Sequence, residues 1–330
     1  MTPLRDPSAD AGAESTIDVS VVVSTRDRAG QLPELFGALG AQATDLNFEL
    51  VIIDNGSVDD TAAVIAKLAA LAPFAVVTDT LPRGSGPARG RNHGVQLAHG
   101  EIIAFTDDDC HPDPRWIEAG ARALGSSAAV VVGRTRGPSG QPTLSQHPMT
   151  SKVITNDCRY FATCNVFYRR QDVLDVGGFD TEFRGVGGED TDLGLRVCKA
   201  GAEALFVPEA LVVHPYRRHG PRSAIVESTR WYDLPRLIAK HPEQRAVLLH
   251  WRWFWKRTHP GALIAALALI AAPLAPVALV GVLPWLRERV LLTNRSRKLS
   301  LLWAPVLFSI DLVEIMTMTV GSVRHRTLVL

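Results

Sequence analysis

A chain of 330 residues, 46% hydrophobic and 21% charged, is long enough for one large domain with a smaller appendage. Its formal net charge of +1 gives no reason to expect a nucleic-acid partner, and most of its acids precede residue 214 while basic and apolar residues gather after it. Cys110, Cys158, Cys164 and Cys198 form no CxxC pair, which argues against a disulfide framework or a zinc cluster and fits a reducing compartment.

Residues 1–16 (MTPLRDPSADAGAEST) are polar with no apolar core and read as a disordered lead-in, not a signal peptide. IDVSVVVST (17–25) is Val-rich with the length of a buried strand, and FELVIIDNGS (48–57) is a second strand ending in turn residues. Between them, QLPELFGALGAQ (31–42) carries apolar residues at helical spacing. Asp59 and Asp60 open the next helix, where carboxylates favour the positive N-terminal end. FAVVT (74–78) is a third strand, and RGSGPARGRNHG (83–94) is a Gly-rich loop leading into a helix. EIIAFT (101–106) is a fourth strand, residues 114–124 a helix, and AAVVVG (128–133) a fifth strand. Helices alternating with continuously apolar strands predict an α/β fold, a mostly parallel sheet flanked by helices. Ligands of such sheets sit beyond the C-terminal strand ends, where Thr25, Asp27, Asp54 and the triplet Asp107, Asp108 and Asp109 fall. Residues 134–158 read as loop and YFATCNVFYRR (160–170) as a further strand; GGEDTDLGLRVCKAG is a Gly-rich loop opening an acid-led helix.

Towards the end the character changes. GALIAALALIAAPLAPVALVGVLPW (261–285) is uncharged and long enough to reach across a bilayer, and WRWFWKR before it mixes aromatics with bases as at a membrane interface. Lys256 and Arg257 precede this stretch; Arg287, Arg289, Arg295, Arg297 and Lys298 follow it. Bases on both flanks conflict with a simple span, and Pro273 and Pro276 would break a straight helix near its middle. A re-entrant or interfacial hairpin with both ends on the cytoplasmic side meets both facts; the rivals are one or two spans, or a buried core helix. LLWAPVLFSIDLVEIMTMTVGSV (301–323) is also apolar, but Asp311 and Glu314 point to packing along a surface or on protein.

Three adjacent carboxylates repel one another unless something positive sits among them. At a strand end they offer the hard oxygen donors that Mg²⁺ or Mn²⁺ take, with phosphate completing the shell. The alternative is a solvated acidic turn. Glu189 and Asp190 follow Gly187 and Gly188, which permit a tight turn. A carboxylate there can act as a general base, or it can simply serve the helix dipole, with Asp192 pairing to Arg196 at i,i+4. Cys110 and Cys164 read as small packing residues, and Trp116 as core or a wall on the acceptor side.

The ordered set of strand–ST, strand–DNGSVDD, GPARGRNHG, strand–TDDD, GGFD, GGEDTDLGLR and VPEALVVH resembles the family-2 glycosyltransferases over residues 17–216. The resemblance implies a GT-A, nucleotide-diphospho-sugar-binding domain there; the composition beyond it reads as a linker with interfacial helices at 217–258 and membrane-associated helices at 259–330. The resemblance also implies that Thr25 and Asp54, with Asp27 and Arg28 beside them, contact base and ribose, and that Gly86, Arg91 and Asn92 lie near the base or diphosphate. Asp107 and Asp108 would hold the ribose; Asp109, with Asp107, would hold the metal. His214 matches a histidine that ligates the metal in some relatives, the plainer alternative being packing. Asn165 would lie under the donor sugar, while Gly177, Gly178 and Phe179 shape their loop. Asp190, beside Glu189, would be the catalytic base. In the first-strand motif Ser24 and Asp27 stand where Pro and Asn are common, while Thr25 and Arg28 remain.

The implied activity is inverting transfer from a UDP- or dTDP-linked sugar to a glycan or lipid-linked acceptor, helped by Mg²⁺ or Mn²⁺. The expected setting is cell-envelope synthesis by a membrane-associated protein with a cytoplasmic catalytic domain. A sugar nucleotidylyltransferase would need a Gly-rich loop after the first strand, which STRDRAG lacks. A non-catalytic membrane-attached scaffold would have a decayed site, which the intact Asp107, Asp109, Asp190 and Asn92 oppose.

Overall fold

The computed structural model describes residues 16–126, 130–138, 158, 160–183, 187–201, 203–215, 220–291 and 301–330. Nearly all of the expected lead-in, most of the loop at 134–158, and Arg295, Arg297 and Lys298 lie outside them.

Eight strands form one sheet: β1 (Val19–Thr25), β2 (Phe48–Asp54), β3 (Ala75–Thr80), β4 (Ile102–Phe105), β5 (His111–Pro112), β6 (Val130–Arg136), β7 (Val166–Arg169) and β8 (Ala204–Val213). Their order is β3-β2-β1-β4-β7-β6-β8-β5. The β3-β2-β1-β4 half is parallel, as the alternation predicts. Beyond it, β7 runs antiparallel to both β4 and β6, and β5 antiparallel to β8, so the sheet is mixed. The strand expected at 160–170 shrinks to the four residues of β7, because Phe161 and its neighbours are used in a turn against the helix Glu189–Lys199.

Continuous apolarity is explained by two covered faces. Val19, Val21, Val23, Leu50 and Ile52 pack under α1 (Leu32–Gly40), α2 (Thr61–Ala69) and, after α3 (Pro87–Leu97), α4 (Trp116–Ser126). Val22, Val51, Ile53, Ile103 and Phe105 face the other way, onto α3, α5 (Arg170–Asp175) and α6 (Glu189–Lys199). The segment expected to be loop through residue 94 becomes helix at Pro87, whose fixed φ and missing N–H suit a first helical position. Gly90 lets α3 lie on the strand ends: a Cβ there would come 2.6 Å from Ser24 Oγ and 2.9 Å from the Asn55 amide.

After β8 come short helices, Pro221–Glu227, Leu234–Lys240 and Gln244–Leu248, then an apolar helix, Thr258–Ala271. Past Pro273 the chain turns back through a 3-10 segment, Pro276–Val282, and a short helix, Leu283–Leu286. The two legs touch closely, since a Cβ on Gly281 would lie 2.9 Å from that of Ala268, and one on Gly261 would lie 3.1 Å from the Trp285 backbone. The apolar stretch is therefore a hairpin, not a straight rod. The C-terminal helix, Ala304–His325, has the length and apolarity to cross a membrane, with 44% of its most apolar stretch buried. Its Asp311 and Glu314 are buried and paired. Trp285 Nε1 donates to Asp311 at 2.8 Å, with Arg289 3.4 Å away, while Lys256 at 2.7 Å and His259 at 3.1 Å engage Glu314.

Candidate active site

The ends of β1 and β4 and the starts of α3 and α6 enclose a cavity of about 330 Å³. Thr25, Arg28, Gly86, Arg91, Asp107, Asp108, Asp109, Glu189, Asp190 and His214 all line it. The acids of β4 and of α6, eighty residues apart, thus open onto one space.

Inside it the acids divide. Asp108 is buried; it accepts a hydrogen bond from Thr25 Oγ1 at 2.8 Å and sits 3.6 Å from Arg28 Nε. Burial pushes its carboxyl up to about 6, against the pull of Arg28 and Thr25. Asp107 and Asp109 instead group with His214 and Cys110, with potential ligand atoms of the four all within 4.8 Å of one another. His214 Nδ1 lies 3.0 Å from the Pro215 carbonyl, to which Nδ1–H donates, and its Nε2 lies 3.6 Å from Asp109. Burial pushes the Cys110 thiol well up, so it stays a neutral packing group and the donors left are two carboxylates and an imidazole. That set fits Mn²⁺ or Mg²⁺.

Arg91 stands between the two acid groups, 3.4 Å from both Asp107 and Glu189, with its guanidinium 5.7 Å from the Phe179 ring centre. Glu189 is buried on that pairing. Asp190, half-buried, is tethered by one oxygen, which accepts the Thr191 N–H at 2.8 Å.

Four expected residues lie elsewhere. Asp54 caps its own turn, accepting both the N–H and the hydroxyl of Ser57 at 2.9 and 2.6 Å. Asp27, in the left-handed region at φ 53°, accepts the Val58 N–H and pairs with Arg83; those contacts hold its carboxyl below the usual range. Asn92 exchanges two hydrogen bonds with the Phe179 backbone, at 2.9 and 2.7 Å. Asn165, expected under the donor sugar, is fully buried: its amide donates to the Arg134 and Ala210 carbonyls and accepts from Trp116 Nε1, each at 2.8 Å. All its polar capacity goes to joining β6, β7, β8 and α4, and Trp116 is core. Conversely, Glu227 and Arg230 enter the cavity from the segment read as a linker, paired at 2.9 Å, and no motif marked them.

The sequence model of glycosyl transferase family 2 matches residues 20–179, and that described as the N-terminal domain of galactosyltransferase matches residues 148–218. Among curated proteins, the glycosyltransferase AglE of Haloferax volcanii is 26% identical over 61% of this chain and 68% of its own length. A validoxylamine A glucosyltransferase of Streptomyces hygroscopicus is 28% identical over 76% of this chain. This chain spans 66% of that relative and 50% of a Mycobacterium tuberculosis pre-mycofactocin glycosyltransferase. Among solved structures, the fold matches a Pyrobaculum calidifontis mannosyltransferase in complex with GDP-Man and Mn²⁺, with TM-score 0.55, 20% identity, and 93% of this chain and 86% of that one covered. It also matches GalNAc-T7 with UDP, GalNAc and Mn²⁺, with TM-score 0.51, 16% identity, and 71% and 52% covered. A glycosyl transferase family 2 domain on a GT-A-type fold is what residues 20–179 are.

Proposed function

We propose that this chain is an inverting glycosyltransferase moving a sugar from a nucleoside-diphosphate donor to a hydroxyl of a glycan or lipid-linked acceptor at a membrane. The supporting observation is the shared cavity: Asp190 lines the same space as the cluster of Asp107, Asp109 and His214. Thr25, Asp108 and Arg28 take the nucleoside end, where a carboxylate already held by a hydroxyl and a guanidinium can accept from ribose. Arg91 and Gly86 lie beside the diphosphate. Asp107, Asp109 and His214 would hold a divalent cation, which supplies Lewis-acid stabilisation of the leaving diphosphate. Asp190 takes the proton of the attacking hydroxyl through its untethered oxygen, and attack from the face away from the diphosphate inverts the anomeric carbon. Asp27, Asp54, Asn92 and Asn165 hold the walls of the site without touching the donor.

The test is release of nucleoside diphosphate from a panel of UDP-, dTDP- and GDP-sugars with Mn²⁺, with and without glycan and lipid-linked acceptors. Release stimulated by an acceptor is expected. Tight donor binding without release would favour a scaffold, and pyrophosphate-dependent formation of a nucleotide sugar would favour a nucleotidylyltransferase.

A further inference from the structure

The hairpin 258–286 exposes an apolar surface that nothing else in the described residues covers. Ile264, Leu267, Ile270, Val277 and Val280 stand on its legs with about half or more of their surface exposed, and Leu274 at the tip is 93% exposed. Between Gly261 and Leu286 it carries no charged side chain. Its first leg, fourteen helical residues, is roughly 21 Å long at about 1.5 Å per residue, shorter than the roughly 30 Å hydrocarbon core of a bilayer. Both feet stand at one level, because Gly261 packs on Trp285. They are held there by the buried Asp311 and Glu314 of the C-terminal helix, through Trp285, Lys256 and His259.

At that level a second cavity, about 340 Å³, is lined by His250, Trp251, Arg257, Ile264, Arg287 and Glu288 among others. Arg257 and Arg287 come from opposite feet, both exposed, and neither pairs with a carboxylate among the described residues. Trp251, 75% exposed, borders the same opening. An apolar finger, a collar of arginine and an exposed tryptophan at its base match the layers of a lipid surface: acyl chains, phosphates and the interface between them.

We propose that the hairpin inserts into one leaflet without crossing the bilayer, and that the cavity at its base binds the phosphate of an anionic phospholipid through Arg257 and Arg287. This stands independently of the transferase reading.

The experiment is co-sedimentation of the full chain with vesicles of phosphatidylcholine, alone or with phosphatidylglycerol. Wild type should partition strongly onto the anionic vesicles, weakly onto the neutral ones, and less at high salt. R257A/R287A should lose about thirty-fold in partition to the anionic vesicles, with melting temperature and donor turnover unchanged. L267E/L274E should lose binding to both vesicle types. Equal partition of wild type and R257A/R287A would overturn the phosphate site. So would competition by millimolar inorganic phosphate that abolishes vesicle binding, since the cavity would then serve a free anion. A dimer dispersed by L267E/L274E, with no vesicle binding at all, would make the apolar face a contact between copies and refute the insertion.

Discussion

Replacing Asp190 with Asn separates the proton acceptor from everything else Asp190 does. One carboxylate oxygen already accepts the Thr191 N–H at 2.8 Å, and an Asn carbonyl oxygen can keep that bond in the same shape. The side chain is half-buried and makes no ion pair among the described residues, so folding stability should move by no more than about 0.5 kcal/mol. What is lost is the oxygen proposed to take the proton of the attacking hydroxyl. General-base catalysis contributes roughly a hundred- to ten-thousand-fold, or about 3–5 kcal/mol of barrier. Steady-state release of nucleoside diphosphate at saturating donor and acceptor should fall by that factor in D190N. Donor affinity measured by calorimetry should stay within about threefold, since Thr25, Arg28 and Asp108 are untouched. Turnover within threefold of wild type would refute Asp190 as the base. A loss of donor affinity equal to the loss of turnover would assign it to binding instead.

His214→Ala should raise the Mn²⁺ concentration needed for half-occupancy at least tenfold, read directly by electron paramagnetic resonance; an unchanged titration would return His214 to packing. Asp192 is fully buried and accepts from Arg196 at 2.8 Å, His241 at 2.9 Å and Lys240 at 2.7 Å. Asp192→Asn should cost about 3 kcal/mol, seen as a melting temperature about 5 °C lower. Burial raises the Asp192 pKa, but its partners outweigh burial and depress it, so its contribution is complete above the unfolded-state value of about 3.9 and is lost as pH falls through the folded one. Wild type should therefore lose stability below about pH 4 more steeply than D192N; parallel profiles would contradict this. At Gly321 an added Cβ would collide with the Tyr232 carbonyl oxygen, so Gly321→Ala should destabilise by about 2 kcal/mol in thermal melts; a neutral effect would show that the C-terminal helix is not held there.

The parallel half of the sheet was legible because β1, β2 and β4 are mostly apolar on both faces. The mixed half was not: β7 is four residues long, and β8 mixes buried and exposed positions, so neither carries a clean period. The acids stood out for a narrower reason: three in a row at a strand end repel one another unless something positive sits among them, and the fold brings Asp107, Asp108 and Asp109 onto the cavity that Asp190 also lines. The asparagines are found bonded within the fold. Asn92 and Asn165 offer the same amide to a sugar or to a backbone, and spacing alone does not distinguish the two. Glu227 and Arg230 were invisible because they reach the cavity only through the tertiary path of a segment with no motif. Pro273 and Pro276 marked a break in the apolar stretch, but the choice between a hairpin and a span, and the partners of Asp311 and Glu314, required the fold.

Asn92 and Arg91 are adjacent, and both are engaged by Phe179, one through its backbone and the other over its ring. The 177–183 turn and the first turns of α3 are thus coupled like two gears on one shaft. A displacement of that turn would be felt at Asn92 through its two hydrogen bonds and at Arg91 through the ring, and by way of Arg91 at Asp107 and Glu189.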